Sequence, residues 1–379
     1  MKHHADIISV ALAGSLGGFS LDVAFDVPAR GVTALFGPSG CGKTTVLRCL
    51  AGLQRLPGRV SIAGDIWQDS ERGIFLSPHR RHVGYVFQEP SLFSHLSVRD
   101  NLLYGARRVR RARDDRGNAP SLGDISDMLG IGALLDRATT MLSGGERQRV
   151  AVGRALLSEP RVLLMDEPLS ALDRMTKDEI LPYFERLHER LSLPILYVSH
   201  DLAELERLAD TLVLIGDGRV LASGPLGELQ TDPALPLLNS PEATVVLEAR
   251  IAAFDERFAL TELTVPGARL TVPGRHGAVG DRRRLSIAAS DVSLARTAPR
   301  DSTILNCLPA RIVRMEGDGS APQVNIILAL GADHGESRIA ARITRKSLAH
   351  LELSEGDAVV AQIKSVALVA ARAAASSDD

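Results

Sequence analysis

The sequence predicts a parallel α/β domain with a helical insertion, followed by a β-rich domain. A strand, a glycine-rich loop and a helix follow one another between Val32 and Leu50. Two further apolar runs, Val162–Met165 and Ile195–Val198, are short, uninterrupted and followed by polar residues. Apolar runs without alternation indicate strands buried on both faces, and hence a parallel sheet with its chemistry at the strand ends. Beyond about Thr244 the pattern changes to short alternating strands with Gly and Pro turns, which predicts the β-rich domain.

Length and composition exclude several classes of protein. A chain of 379 residues is long enough for two or three domains, each with its own core. The 44 Lys and Arg residues are balanced by 46 Asp and Glu residues, so nucleic-acid binding would require a local basic patch. Three scattered cysteines exclude a disulfide scaffold and favour a reducing compartment.

The sequence contains no candidate membrane-spanning helix. No segment reaches the roughly 18 to 20 apolar residues that cross a bilayer. Residues Ile7–Ala13 superficially resemble a signal peptide, but the run is short and Asp6 directly precedes it. We therefore expect this run to be the first strand of the domain.

Residues 37–45 form the clearest motif in the chain. They read Gly37-Pro38-Ser39-Gly40-Cys41-Gly42-Lys43-Thr44-Thr45 and lie between the predicted strand and helix. Glycines allow backbone N–H groups to surround phosphates, Lys43 would reach the β and γ phosphates, and Thr44 would hold Mg²⁺. The motif predicts a loop that binds a nucleoside triphosphate.

Asp166 and Glu167 follow the second apolar run. At the end of a strand beside a phosphate loop, Asp166 is placed to bind Mg²⁺ and Glu167 to polarise the attacking water. Such a pair on its own is as often a helix cap, and the phosphate loop favours the catalytic interpretation.

A second candidate anion site follows Leu142. Ser143, Gly144 and Gly145 begin a predicted helix, so their backbone N–H groups would be available to a phosphate. With this Leu-Ser-Gly-Gly-Glu string, residues 5–235 resemble the ATP-binding-cassette (ABC) ATPases. Two such cassettes pair head to tail, so the resemblance implies a homodimer with each ATP between the Lys43 loop of one subunit and the Ser143 loop of the other.

Other marks of the family occur in its usual order. Gln88 resembles the glutamine that contacts the metal and senses the membrane partner. Asp173, at the end of Ser170-Ala171-Leu172-Asp173, matches the loop between subunits, and His200 matches the switch histidine at the γ-phosphate. For the aromatic residue that stacks on adenine, Phe19 and Phe25 are both candidates, and core packing is an equal alternative for each.

The region of about residues 90–155 is predicted to be the helical insertion. Its basic run Arg107–Arg116 has no interleaved aromatic residues and contains aspartates, which favours a solvated segment over a nucleic-acid patch. Fused exporters and nucleic-acid ABC proteins fit less well, because this chain has neither membrane helices nor a second cassette. The resemblance implies a peripheral ATPase at the cytoplasmic face of the inner membrane. It would dock on permease subunits through Gln88–Gly105 and serve a separate substrate-binding protein.

The C-terminal part contains a weak internal repeat. Leu247–Ile251 matches Leu308–Ile312, and Gly280-Asp281 matches Gly356-Asp357. The repeat predicts two small barrel-like β modules of the oligonucleotide/oligosaccharide-binding (OB) type after a linker at Pro225–Pro241. We therefore expect an ATP-binding domain over 1–235, a linker and first module over 236–300, a second module over 301–372 and a disordered tail over 373–379.

The second module resembles the molybdate-binding Mop/TOBE type. By this resemblance Ser302, Ser347, Lys364 and Ser365 would line an oxyanion site, and hydroxyls with one cation suit a tetrahedral dianion. Leu305 occupies a position at which the family often has an arginine, so a purely structural dimerisation module is the alternative. The cargo implied is molybdate or tungstate, and sulfate, ferric iron, polyamine and sugar importers use similar cassettes.

Overall fold

The computed structural model describes residues 6–112, 120–191, 193–240, 243–316, 321–331 and 337–369. The chain divides into two compact units, with the boundary between Gly224 and Pro225. The predicted tail over 373–379 lies outside the described residues.

The first unit contains strands β1–β11 and helices α1–α6. Its strands are β1 (Ile7–Leu16), β2 (Phe19–Pro28), β3 (Val32–Phe36), β4 (Gly58–Ile62), β5 (Asp65–Asp69), β6 (Ile74–Phe75), β7 (Val83–Val86), β8 (Val162–Asp166), β9 (Ile195–Val198), β10 (Thr211–Gly216) and β11 (Arg219–Pro225). Its helices are α1 (Lys43–Ala51), α2 (Val98–Ala112), α3 (Leu122–Leu129), α4 (Gly144–Leu156), α5 (Arg174–Arg190) and α6 (Leu202–Leu208).

The strands of the first unit form one mixed sheet in the order β6-β5-β4-β1-β2-β11-β10-β3-β9-β8-β7. Strands β10, β3, β9, β8 and β7 run parallel, which confirms the predicted parallel sheet. Strands β1, β2, β4, β5 and β6 pair antiparallel. Residues Ile7–Ala13 lie in β1, so the run that resembles a signal peptide is a strand, as expected.

The parallel strands bring the predicted motifs to one edge of the sheet. Leu35 of β3 and Asp166 of β8 both pair with Val198 of β9. The carboxyl ends of these strands therefore lie side by side, and the Gly37 loop, Glu167 and His200 follow directly. The strands are buried because their runs of Val, Leu and Ile pack between layers of helices and strands.

The predicted insertion contains helices α2, α3 and α4. Arg107 of α2 pairs with the exposed carboxylate of Asp100 at 2.9 Å, and residues 113–116 of the basic run lie outside the described residues. Across the described ranges, no helix has the length and apolar character needed to cross a membrane.

The second unit is predominantly β. Its strands are β12 (Thr244–Asp255), β13 (Leu260–Val265), β14 (Ala268–Pro273), β15 (Arg282–Ala288), β16 (Val292–Ala295), β17 (Asn306–Glu316), β18 (Gln323–Leu330), β19 (Arg338–Thr344), β20 (Ala358–Ile363) and β21 (Ala367–Val369). Two short helices, α7 (Leu226–Gln230) and α8 (Arg345–His350), accompany them. The segment predicted as a linker contains α7 and a 3₁₀ turn at Pro236–Asn239, with Leu226 and Leu237 buried.

The structure confirms the internal repeat. The pairing of β12 with β13 has a bulge after Ile251, and that of β17 with β18 has one after Ile312. Gly280 N donates to Ile251 O, and Gly356 N donates to Ile312 O, both at 2.8 Å. The first long strand of each module is thus bent by the same β-bulge, and in each case the carbonyl of the isoleucine before the bulge accepts from a glycine N–H.

The two modules exchange strands. β16 follows the first module but pairs with β20 of the second, and β21 follows the second but pairs with β15 of the first. The sheets are β14-β13-β12-β15-β21 and β16-β20-β17-β18-β19, and one hydrophobic core runs through both. Each module is therefore completed by the other.

Candidate functional site

The glycine-rich loop holds a buried lysine at the start of α1. Gly40 and Gly42 adopt φ angles of 81° and 106°, which favour glycine. A Cβ atom at Gly37 would lie 1.9 Å from Ile215 O, so this position also requires glycine. Lys43 is 4% exposed, and its Nζ donates to Gly37 O and Pro38 O, both at 2.8 Å. The loop carbonyls thus hold the ammonium group inside the turn, where it can face an anion.

A hydroxyl–carboxylate pair lies beside the lysine. Thr44 Oγ1 donates to Asp166 Oδ1 at 2.7 Å. Asp166 Oδ2 accepts a second hydrogen bond, at 3.0 Å, from the hydroxyl of Tyr85 on β7. Burial, followed by the neighbouring charge of Asp166, raises the pKa of Tyr85 well above its usual value, so the phenol remains a donor.

Glu167, which follows β8, and His200, which follows β9, lie close together at the same edge of the sheet. His200 Nδ1 lies 3.2 Å from Glu167 Oε2, and the His200 side chain is about half exposed. Glu167 has a φ angle of 45°, a left-handed conformation that non-glycine residues rarely adopt. Its N–H donates to Val198 O at 3.0 Å, which ties this conformation to β9. The carboxylate of Glu167 is therefore held next to the imidazole of His200 at the carboxyl edge of the parallel strands.

Gln88 and Ser170 connect the site with the segment before the helical insertion. Gln88 Nε2 donates to Ser170 Oγ at 3.1 Å, and Ser170 Oγ donates to Glu167 O at 2.9 Å. The exposed side chain of Gln88 thus reaches the backbone of Glu167 through one hydroxyl group. Sequence reasoning singled out Gln88 but did not predict the role of Ser170.

Ser143 begins α4 through a reciprocal capping box. Ser143 N donates to Glu146 Oε2 at 2.8 Å, and Glu146 N donates to Ser143 Oγ at 3.2 Å. Of the three N–H groups expected to be free, those of Ser143, Gly144 and Gly145, that of Ser143 is therefore occupied. Helix geometry leaves the N–H groups of Gly144 and Gly145 without intrahelical acceptors, so these two are available to an anion.

Asp173 caps α5 next to this helix start. Its carboxylate accepts from Thr176 N at 3.0 Å and from Thr176 Oγ1 at 2.8 Å, and these bonds hold the pKa of Asp173 below its usual value. A Cβ atom at Gly145 would lie 2.7 Å from Ile180 of α5. The close contact places the Ser143 and Asp173 loops side by side.

The two candidate adenine-stacking residues differ in accessibility. Phe25 is 6% exposed and belongs to the core of the first unit. Phe19 is partly exposed, and its ring edge lies 3.0 Å from the position of a Cβ atom on Gly42. Of the two, only Phe19 lies beside the phosphate loop with an accessible ring.

The oxyanion candidates lie in the second unit. Asn306 pairs with Ile363, so Lys364 follows β20 at the end of the sheet where Ser302 precedes β17. Lys364 and Ser365 are exposed. Ser347 Oγ on α8 lies 2.9 Å from Oγ1 of Thr344, the residue that caps this helix, and Ser302 Oγ accepts from Ile304 N. Among the described residues, no hydrogen bond joins these four side chains to one another.

The residues at the sheet edge fit a magnesium ion that is shared with phosphates. Mg²⁺ prefers oxygen ligands and usually takes one or two from the protein, with water and substrate phosphates completing its shell. Thr44, Asp166 and Gln88 supply a hydroxyl, a carboxylate and an amide. The described residues contain no cluster of three or more His, Cys, Asp or Glu side chains that could hold a metal ion.

Comparison with known proteins assigns the chain to a class and then to a family. Residues 21–170 match the ABC transporter family, and residues 302–370 match the TOBE domain. The first unit is thus an ATP-binding cassette of the ABC transporter class. The molybdenum import ATP-binding protein ModC of Rhodopseudomonas palustris (strain BisB18) is 57% identical, covering 98% of this chain and 96% of that protein. The chain belongs to the family of molybdenum import ATP-binding proteins.

The chain is also similar to a second relative and to one solved structure. ModC of Rhodobacter capsulatus is 55% identical, covering 96% of this chain and 98% of that protein. The structure of cbiO1 from Clostridium perfringens, described as part of the ABC transporter complex cbiONQ, is 28% identical with a TM-score of 0.49. That similarity covers 58% of this chain and 89% of the other.

Proposed function

We propose that this protein is the ATP-hydrolysing subunit of a molybdate importer. The observation that carries the proposal is the convergence of Lys43, the Thr44–Asp166 pair and the Glu167–His200 pair at one edge of the parallel sheet. A buried cation, a site for magnesium and a carboxylate beside an imidazole are the groups that hydrolysis of a nucleoside triphosphate requires.

Each residue has a role that follows from its position. Lys43 and the N–H groups of the Gly37–Thr45 loop bind the β and γ phosphates, and Phe19 stacks on the base. Glu167 accepts a proton from the attacking water, and His200 contacts the γ-phosphate while it holds Glu167 in place. Thr44, Asp166 and Gln88 would hold Mg²⁺, which supplies positive charge to neutralise the phosphate oxygens.

The active unit is a head-to-tail homodimer. In this arrangement the N–H groups of Gly144 and Gly145 bind the γ-phosphate held by the partner subunit. Two exposed methionines flank this surface: Met141, 76% exposed, precedes Ser143, and Met175, 78% exposed, follows Asp173. Methionines are adaptable apolar residues, and their exposure here supports a protein contact.

The helical insertion is the contact with integral permease subunits. Phe87, 39% exposed, immediately precedes the Gln88–Gly105 segment, and Tyr104, 38% exposed, lies at its end. The rings of Phe93 and Tyr104 pack against each other at a tilt, with 4.4 Å between their centroids. Gln88 is joined to the backbone carbonyl of Glu167 through Ser170, so a shift of this segment would reach the residue that carries the catalytic carboxylate. The ATPase is peripheral to the cytoplasmic face of the inner membrane. A separate substrate-binding protein delivers the cargo to the permease.

Molybdate is the cargo that the relatives' names support, with tungstate as its close chemical analogue. The second unit would sense the oxyanion through Ser302, Ser347, Lys364 and Ser365. Isothermal titration of molybdate, tungstate and sulfate into the full chain tests this. We expect saturable binding of the first two that is lost in Lys364→Ala and kept in Lys346→Ala, a matched exposed lysine of the same unit. If molybdate and tungstate do not bind, or if sulfate binds equally well, the proposed sensing role of the second unit is contradicted.

Nucleotide binding is tested separately from cargo. Lys43→Ala removes the buried ammonium group, and a charge-assisted hydrogen bond contributes about 1.5–3 kcal/mol. ATP affinity should therefore fall at least about tenfold, measured by titration with a fluorescent ATP analogue. Lys346→Ala again serves as the control, and unchanged affinity in Lys43→Ala would contradict the assignment of the loop.

A further inference from the structure

A buried polar cluster connects α5 with the loop that carries His200. Lys177 Nζ lies 2.8 Å from Asp201 Oδ2 and 2.8 Å from Glu204 Oε1. Glu204, 2% exposed, also accepts from Tyr197 Oη at 2.7 Å and from Ser199 Oγ at 2.8 Å. These five residues, Lys177, Tyr197, Ser199, Asp201 and Glu204, are called the Lys177 cluster below.

Both carboxylate oxygens of Glu204 have hydrogen-bond donors: Lys177 at Oε1, and Tyr197 and Ser199 at Oε2. A buried ionised carboxylate is costly unless a cation and hydrogen bonds surround it. Burial alone would lower the pKa of Lys177, but the bonds and charges of Asp201 and Glu204 outweigh burial and raise it, so Lys177 stays charged. Tyr197 stays neutral, because burial and then Glu204 raise its pKa well above the usual value.

The Lys177 cluster holds the chain on both sides of His200. Ser199 and Asp201 are its sequence neighbours, and Asp201 N donates to Ser199 Oγ at 3.0 Å. Asp201 also caps α6 by accepting from Ala203 N, so its carboxylate is held from two directions. His200 itself is outside the cluster, and its imidazole faces Glu167. The geometry of the imidazole therefore depends on a backbone that the cluster fixes.

The other end of the cluster reaches the loop that begins α5. Lys177 is one turn from the helix cap Asp173, and Lys177 N donates to Asp173 O at 2.9 Å. The backbone of Lys177 thus contacts the helix cap Asp173, and its side chain contacts Asp201 in the loop that carries His200. The proposed subunit contact lies at this cap.

We propose that Lys177 is a positioning residue for ATP hydrolysis: by bridging Asp201 and Glu204 it sets His200 against Glu167 and couples this pair to the Asp173 loop. The inference rests on the proposed function and adds a residue that contacts neither nucleotide nor metal. Its effect should appear in turnover and not in nucleotide binding, because among the described residues no hydrogen bond joins the cluster to the Gly37–Thr45 loop.

The chain offers a matched control for the loss of an ion pair. Arg207 of α6 pairs with Glu185 of α5 at 2.7 Å, and the Arg207 side chain is 17% exposed against 16% for Lys177. Arg207 also lies 3.4 Å from Asp178, so the contacts of this arginine with Glu185 and Asp178 join the same two helices through residues of α5. Arg207→Met should therefore reduce stability as Lys177→Met does and leave turnover close to wild type.

The test is steady-state ATP hydrolysis by the full chain, together with thermal unfolding. We expect Lys177→Met to lower kcat about 10- to 100-fold with KM for ATP within about threefold of wild type. Lys177→Arg keeps the cation and should restore most of kcat. If Lys177→Met does not fold, the double variant Lys177→Met/Glu204→Gln, which removes the buried charge as well, carries the measurement.

A double-mutant cycle separates positioning from general destabilisation. If the lysine acts through the imidazole, Lys177→Met should lower kcat by less than about threefold in a His200→Ala background. The inference is overturned if Lys177→Met has the kcat of wild type, or if Arg207→Met loses as much kcat as Lys177→Met. It is also overturned if Lys177→Met lowers kcat by the same factor in the His200→Ala background as in wild type. A wild-type chain that hydrolyses no ATP would instead overturn the proposed function, and this inference with it.

Discussion

The hydroxyl of Tyr85 donates a hydrogen bond of 3.0 Å to Oδ2 of Asp166, the carboxylate whose other oxygen accepts from Thr44. Both oxygens of Asp166 are thus held by neutral donors, one on β7 and one on α1. The carboxylate, 6% exposed, keeps its orientation without a protein cation as a partner in these bonds. This arrangement leaves its negative charge available to a metal ion.

Tyr85→Phe should weaken the response to magnesium. The substitution removes one oxygen and keeps the ring that packs on Phe87 at 4.3 Å. Loss of a hydrogen bond to a metal ligand typically costs about 10- to 100-fold in metal affinity or activity. We expect the Mg²⁺ concentration for half-maximal hydrolysis to rise about tenfold, measured by titrating Mg²⁺ at saturating ATP.

Tyr183→Phe is the matched control for this substitution. The Tyr183 ring lies between Arg149 and Arg186 at 4.6 Å from each, in contacts that phenylalanine retains. Its Mg²⁺ dependence should equal that of wild type. Equal dependence in Tyr85→Phe would show that the hydroxyl does not orient Asp166 for the metal.

Alkaline conditions should destabilise the first unit. Burial raises the pKa of Cys49 to about 11 and raises the pKa values of Tyr85 and Tyr197 above the usual tyrosine value. Above about pH 9 the unfolded chain releases protons that the folded chain retains, so the free energy of unfolding decreases. The contribution is complete below the unfolded pKa values and is lost as pH rises through the folded ones.

Urea unfolding at a series of pH values measures this dependence. The midpoint should fall between about pH 9 and pH 11, and the fall should be shallower in Cys49→Ala, which removes one of the three groups. A midpoint that is constant over this range would contradict the protonation assigned to these groups.

The sequence predicted those parts of the site that depend on strand ends and local turns. Lys43, Asp166 and Glu167 were predicted to lie together because the carboxyl ends of adjacent parallel strands meet at one edge, and His200 was added to them by the family resemblance. Tyr85 and Lys177 were not predicted, because their roles depend on side chains that cross from a neighbouring strand or helix. The capping box of Ser143 was readable from Glu146, three residues later.

The strand exchange in the second unit was also beyond sequence reasoning. The alternating pattern identifies short strands, and the repeat identifies two equivalent modules, but neither specifies which sheet a terminal strand joins. Val292–Ala295 and Ala367–Val369 are only a few residues long, and their partners lie in the other module. Register across modules is set by the shared core, which forms only in three dimensions.

Because the two modules exchange strands, we expect the second unit to unfold in a single transition. Leu294 of β16 and Leu368 of β21 are partly buried against the shared core. Leu294→Ala and Leu368→Ala should each lower the free energy of unfolding by about 1–2 kcal/mol, because each removes apolar contacts from that core. Differential scanning calorimetry of the full chain would show both variants shifting the same transition.

Leu305→Ala is the corresponding control. Leu305 belongs to the same unit but is 66% exposed, so its truncation should change stability by less than about 0.5 kcal/mol. Two separate transitions, with Leu294→Ala and Leu368→Ala affecting different ones, would show that the modules unfold independently.

The most direct measurement is single-turnover ATP hydrolysis by wild type and Glu167→Gln. Glutamine keeps the size of the side chain but cannot accept the proton of the attacking water. The account predicts that Glu167→Gln binds ATP with an affinity within about threefold of wild type and hydrolyses it at least about 100-fold more slowly. Hydrolysis near the wild-type rate with ATP binding retained would contradict the assignment of Glu167 as the base.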